Sequence, residues 1–310
     1  MSTLDFSTKI GSKRFSNPIF TASGCASSGQ ELSQFFPLTE LGAIVTKSIM
    51  TKSRTGRLTP RMAETPSGML NSIGLQGPGI DAFLENDIPW LVEQKAKIIV
   101  SIAGETVDEY GVLSRRLRAI SGISAVEVNI SCPNVENRGQ VFACHPDTSV
   151  AVIEAVRRNI GGELPIIAKL SPDVTDIVEI AAAVINAGVD GLALINTLLG
   201  MVIDTNSMKP KLAGKTGGLS GPAIRPVAVR AIYQVHQAFP NTPIVGMGGV
   251  ASGRDAFELI LAGASAVSIG TASFGNPNAA MLVKSQLSDL LIERGFNDFK
   301  DAVGFAHRGL

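Results

Sequence analysis

"PIVGMGGVASGRDAFELILAGASAVSIGT", residues 243–271, decides the fold. It opens on an apolar run from Pro243 to Met247, breaks at Gly248 and Gly249, continues as an amphipathic helix over 253–263 and ends on a second apolar run over 264–271. Both strands are apolar on each face, the pattern of parallel strands covered by helices. Asp255 lies near the helix start and Gly263 just past its end, where capping chemistry prefers a carboxylate and a glycine.

Working outward, the same unit recurs along the chain. "NPIFTASG" (17–24), "GAIVTKSI" (42–49), "KIIVSIAG" (97–104), "AVEVNISC" (125–132), "PIIAKLSP" (165–172) and "GLALINT" (191–197) precede the two strands above, making eight. Amphipathic helices are predicted over 108–120, 147–160, 176–188 and 224–239, with Asp147 and Asp176 near their starts and Gly188 just past an end. Eight β–α units with no linker-like stretch imply an α/β fold, a (β/α)8 TIM barrel forming a single domain over residues 1–310. A doubly wound sheet would need a GxGxxG turn after its first strand, and "TASGCASSGQ" does not supply one.

Bulk properties narrow the function. The chain has 310 residues, 45% hydrophobic and 17% charged, with 27 Lys and Arg against 27 Asp and Glu, so it can bury a large core and has no basic excess for nucleic acid or an anionic membrane. "MSTLDFSTKIGSKRF" lacks an apolar leader, and the uncharged stretch from Leu259 to Val283 is broken by Gly, Ser, Asn and Pro clusters. A cytoplasmic protein is expected. Three cysteines, Cys25, Cys132 and Cys144, without CxxC spacing argue against a disulfide framework, and the scattered His145, His236 and His307 suggest no metal site or Ser–His triad.

A barrel places its active site at the C-terminal ends of its strands and grips phosphate after strands 7 and 8. Ser23, Lys47, Ser101, Asn129, Cys132, Lys169, Asn196 and Thr197 all fall at such ends. Gly248 and Gly249 after strand 7, and Gly270 with Thr271 after strand 8, can bring backbone N–H groups close to a phosphate. Either glycine loop alone is an ordinary turn; both at the specified positions favour phosphate. Lysines usually snorkel to the surface, but Lys169 in "PIIAKLSP" and Lys47 in "IVTKSI" sit in apolar strands, which favours an anionic ligand. Most free cysteines are small buried hydrophobes, and Cys25 and Cys144 are read that way. Cys132 instead stands in the polar turn "NISCPN", a setting for acid–base or nucleophilic work. "SGMLNSIGLQGPG" (67–79) reads as a loop whose Asn71 could meet a planar polar substrate.

Taken in order, "ASG", "TKS", "PRMAETPSGMLNSIGLQGPG", "EVNISCPN", "AKLSP", "INT", "TGGLSGPAI", "GMGGV" and "SIGTASF" resemble the class 1 dihydroorotate dehydrogenases over essentially the whole chain. The resemblance implies an FMN-containing barrel that oxidises (S)-dihydroorotate to orotate in pyrimidine biosynthesis. Cys132 would take the proton from substrate C5 while a hydride leaves C6 for flavin N5. An unperturbed thiol near about 8.5 is mostly protonated at neutral pH, so activity is expected to rise on the alkaline side. Ser23, Lys47, Ser48, Ser101, Asn129, Lys169, Ile195, Gly221, Gly248, Gly249, Gly270 and Thr271 would hold FMN. Lys47, Asn71, Ser72, Ile73, Gly74, Leu75, Asn129, Asn134, Asn196 and Thr197 would hold the substrate.

Ser101 stands where relatives usually have Asn, and Gly77 where Asn is commoner, which leaves one flavin hydrogen bond and the substrate loop open. "SGMLNSIGLQGPG" and "SCPNVENRGQVF" resemble the 1B type, which implies electron transfer to NAD+ through a second subunit carrying FAD and a [2Fe–2S] cluster. It also implies a homodimer core in a heterotetramer. A fumarate-dependent 1A enzyme, a related uracil-type pyrimidine reductase and a non-catalytic FMN-binding barrel stand as alternatives.

Overall fold

A computed structural model describes residues 4–131 and 145–309. Eight parallel strands form one sheet: β1 (Ile19–Thr21), β2 (Ile44–Val45), β3 (Ile98–Ile102), β4 (Ile123–Asn129), β5 (Ile166–Lys169), β6 (Gly191–Leu194), β7 (Ile244–Met247) and β8 (Ala266–Ile269). Each pairs with its neighbour in sequence, and β8 returns to β1. A Phe20–Ala43 bridge, with Gly42 N–H donating to Ile19 O at 2.8 Å, joins β1 to β2 and closes the barrel.

Helices cover the outside, α1 (Ile88–Glu93), α2 (Val107–Arg118), α3 (Pro146–Ile160), α4 (Ile177–Asn186), α5 (Arg225–Ala238), α6 (Gly253–Ala262) and α8 (Ala279–Glu293), while the short α7 (Ala272–Gly275) lies at the mouth of the barrel after β8. Asp176 caps α4 by accepting from Val178 N–H and Glu179 N–H. At α6 the cap is Ser252, and Asp255 returns the bond as the other half of a capping box. Among the described residues no helix is long and apolar enough to cross a membrane.

Alternation along the strands sorts the core into two sides. Val100, Val126, Ala168, Leu192 and Val267 pack outward in the cluster that the helices share. Phe20, Ile99, Ala125, Ile167, Ala193, Val245 and Ala266 fill the barrel, closed from below by Ile10 and Phe15 of the hairpin Thr8–Ile10 and Lys13–Phe15. Two residues further along the same inward faces, the filling turns polar: Ser101, Glu127, Lys169 and Ser268 are all buried there. That polar layer is the floor of the site.

Two segments depart from the sequence reading. The second strand is only Ile44–Val45, because Lys47 and Ser48 leave the ladder to line a cavity and an Ile49–Ile102 bridge alone continues it. Residues 67–79, read as a loop, contain the strand Gly68–Asn71. It pairs with Met62–Thr65 on one side and Thr216–Ser220 on the other, and Leu198–Met201 completes a four-stranded antiparallel sheet. Short strands flanked by glycine carry little periodicity, so this sheet is hard to read from the chain alone. Gly218 shows its tightness, since a Cβ there would lie 2.0 Å from Thr197 Oγ1.

Candidate active site

A cavity of about 920 Å³ opens at the C-terminal ends of the strands, rimmed on one side by the antiparallel sheet through Met62, Met69 and Asn71. That volume suits a cofactor together with a small substrate.

The floor is a continuous polar chain. Ser23 Oγ lies 3.2 Å from Ser48 Oγ, which is 2.9 Å from Ser101 Oγ, and Ser101 donates to Glu127 Oε1 at 3.0 Å. Lys169 Nζ lies 3.9 Å from the same carboxylate oxygen, a coulombic contact between side chains 6% and 2% exposed. Asn129 Nδ2 donates to Ser48 Oγ at 3.1 Å, while its Oδ1 accepts from Ser131 Oγ at 3.1 Å and Asn196 Nδ2 at 3.5 Å. Tyr110 OH fixes the Asn129 backbone carbonyl at 2.8 Å. The amide of Asn129 therefore has one orientation that satisfies both ends.

Around this floor the structure gathers Ser23, Lys47, Ser48, Asn129, Lys169 and Ile195 along the cavity wall. Asn71, Ile73 and Leu75 approach from the rim, and Asn196 and Thr197 from the end of β6. Gly221, Gly248, Gly249, Gly270 and Thr271 form the side formed by β7 and β8, where Thr271 donates to Ser220 Oγ at 2.8 Å.

Three expected residues stand back from the cavity. Ser101 lies within the floor beneath Ser48. Ser72 is fully buried and accepts from Arg57 Nη1 at 3.0 Å, and Gly74 packs so closely on Arg57 that a Cβ would meet its backbone nitrogen at 2.8 Å. Cys132 and Asn134 lie outside the described residues, as does Cys144; Ser131, the last residue before them, belongs to the floor network.

The start of α6 has most of its N–H groups engaged. Asp255 accepts from Ala251 N–H and Ser252 N–H, and Gln286 accepts from Gly253 N–H. An anion on this side would thus meet the preceding Gly248–Gly249 loop, whose φ values of +130° and +74° only glycine adopts readily, rather than the helix terminus.

Cys25 also reaches the cavity, half-buried rather than sealed in the core. Burial pushes its thiol above the usual range, and the nearby Lys169 and Lys47 charges pull the other way. Among the described residues no group of three or more His, Cys, Asp or Glu could hold a metal ion.

Sequence reading missed Glu127, Ser131, Ser220 and Ser268. Glu127 lies on the inward face of β4, in register with Ala125 and Asn129, a placement that the alternating run "AVEVN" does not distinguish from a solvent-facing one.

A (β/α)8 barrel with a buried lysine and paired asparagines at its strand ends, and glycine loops after β7 and β8, has the layout of a barrel enzyme whose site lies at the C-terminal ends of its strands. The dihydroorotate dehydrogenase family model matches residues 5–291, and the chain belongs to that family. It is 51% identical over 292 residues to the dihydroorotate dehydrogenase B (NAD(+)) catalytic subunit of Desulforudis audaxviator, covering 94% of each chain. Identity to the protein of the same name from Desulforamulus reducens is 50% over 304 residues, 98% of this chain and 99% of the relative. The Geotalea daltonii protein of that name is 46% identical over 304 residues.

Proposed function

We propose that the protein oxidises (S)-dihydroorotate to orotate in pyrimidine biosynthesis, with FMN resident in the cavity and NAD+ as the final acceptor. The observation that carries this reading is the polar floor, which puts Lys169, Asn129 and Asn196 at the ends of three adjacent strands in a chain of this family.

The residues present fit a flavin mononucleotide. The Ser268 hydroxyl, on an inward face that lines the cavity, is buried with no hydrogen-bond partner among the described residues, an acceptor and donor awaiting a ligand. Gly248, Gly249, Gly270 and Thr271 would hold the phosphate, and Ser23, Ser48, Ile195, Gly221 and Lys169 the rest of the cofactor, with Ser101 bracing Ser48 from below. Bound there, FMN supplies the two-electron acceptor for the hydride that leaves the substrate.

The chain's own residues do the rest. Lys47 supplies positive charge for the substrate carboxylate, and Asn71, Asn129, Asn196 and Thr197 offer donors and acceptors that match the edges of a pyrimidine ring. Ile73 and Leu75 wall it from the rim, while Ser72 and Gly74 shape that loop, and Asn134 is a further substrate contact. Cys132 takes the C5 proton as general base.

Electrons leave through a partner subunit carrying FAD and a [2Fe–2S] cluster, in a heterotetramer built on a homodimer of this chain in the cytoplasm.

The test is the chain co-purified with its electron-transfer subunit. Dihydroorotate-dependent formation of NADH is expected. Turnover with fumarate alone would replace the NAD+ reading, a flavin-free supernatant after denaturation would remove the cofactor, and a Cys132→Ser variant as active as the parent would remove the base.

A further inference from the structure

Among the described residues Glu127 is the one carboxylate in the floor network, and no step above uses it. It lies on β4 between Ala125, which fills the barrel, and Asn129, and it is 2% exposed. Burying a carboxylate in the middle of a barrel is unfavourable unless charge and hydrogen bonds compensate it. Here Ser101 donates to it at 3.0 Å and the Lys169 ammonium stands 3.9 Å away, on the next strand. Lys169 lines the cavity; Glu127 sits behind it.

We propose that Glu127 is a positioning residue that sets the charge of the cavity floor: it anchors and half-neutralises the Lys169 ammonium and ends the Ser101–Ser48 hydroxyl chain that orients Asn129. The argument rests on the flavin reading above. A lone ammonium at the floor favours negative charge on whatever ring lies over it. With Glu127 behind it, much of that field closes within the protein. The enzyme has to reduce its flavin with one substrate and re-oxidise it with another, so a floor of full positive charge would hold the electrons too firmly. Glu127 moderates that hold.

Glu127→Gln keeps the shape and can still accept from Ser101, but removes the charge. In the flavin-loaded protein its reduction equilibrium is expected to move about tenfold toward the reduced form, ~30 mV upward for a two-electron couple. In a Lys169→Met background the same substitution is expected to shift the potential far less, because a buried carboxylate without its ammonium partner takes up a proton and leaves no charge to remove; a merely structural role would give equal shifts in both backgrounds.

Should the glutamine variant fail to fold, Glu127→Asp is measured instead. Drawing the carboxylate back by one methylene lengthens the 3.9 Å separation and is expected to raise the potential by less. A flavin-loaded variant with the parental potential overturns this inference alone, as do equal shifts with and without Lys169. A parent chain that binds no flavin overturns the cofactor reading and this inference together.

Discussion

Asn196, at the end of β6, donates its side-chain amide to Ser131 Oγ at 2.7 Å and so ties that strand end to the residue immediately before Cys132. Ser131 in turn donates to Asn129 Oδ1, and Asn196 Oδ1 accepts from Thr197 N–H at 2.8 Å. Three strand-end residues therefore fix one another's hydrogen-bonding faces before any ligand arrives. That is the preorganisation a proton abstraction needs.

Asn196→Ala is expected to lower the rate of flavin reduction by dihydroorotate about 10²-fold, the scale of losing a preorganised donor. The side chain is only half-buried, so stability should fall by no more than ~1 kcal/mol. Stopped-flow absorbance reads the first quantity and a denaturant titration the second. A rate near the parent's would mean that Ser131 and Asn129 hold the site without it.

Gly249 tests the phosphate side. Its φ is +74°, and a Cβ would meet Gly221 O at 2.9 Å and Arg225 Cβ at 2.8 Å. Gly249→Ala is expected to cost ~1–3 kcal/mol through backbone strain and to displace the loop that faces the cavity. Flavin content per folded chain, measured after dialysis, should drop at least about tenfold, since 1.4 kcal/mol of lost binding is already that factor.

Gly253 provides the contrast, because it is crowded for a different reason. Its Cβ would meet Gln286 Cβ at 2.4 Å and the backbone of Gln286 and Leu287 at 2.6 Å, at the crossing of α6 and α8. Gly253→Ala is expected to lose ~1–3 kcal/mol of stability by overpacking. The fraction that stays folded should still take up flavin stoichiometrically. Equal flavin loss in both variants would remove the distinction between loop and helix crossing.

The barrel was legible because its strands and helices carry strong local signals: apolar runs such as "PIIAK", a 3.6-residue period in 147–160 and 176–188, and carboxylates or glycines at their ends. The antiparallel rim was not, since its hairpin of Met62–Thr65 and Gly68–Asn71 is too short to show a period, and the other half of the sheet, Thr216–Ser220, lies about 150 residues away with nothing local to announce it. At the site, polar residues at strand ends stood out against apolar neighbours. Glu127 did not, because a single Glu within "AVEVN" looks like the solvent-facing position of an alternating strand until barrel closure turns that face inward. Asp255 illustrates a similar limit: the sequence marks it as a helix-start carboxylate, but only the packing shows it holding Ala251, Ser252 and Arg225 together.

His236 on α5 gives the fold a predictable pH response. Gly263 and Gly304 close on its ring so tightly that a Cβ at either would fall 2.2 Å from it. His307 lies 5.0 Å away between ring centroids and stacks on Tyr233 at 3.9 Å. Burial first, and the His307 charge second, push the His236 imidazole below its ordinary value of 6.5. In the unfolded chain the same ring takes up its proton at about 6.5, so below that pH the unfolded state binds more protons than the folded one. His236 therefore leaves stability intact above about pH 7 and erodes it as the pH falls through 6.5, until the folded ring protonates as well. Urea midpoints at pH 7.5 and 5.5 should differ more in the parent than in His236→Gln, which cannot titrate. An identical drop in both proteins would place the acid sensitivity elsewhere, on carboxylates such as Glu40, which Lys284 holds below the usual range.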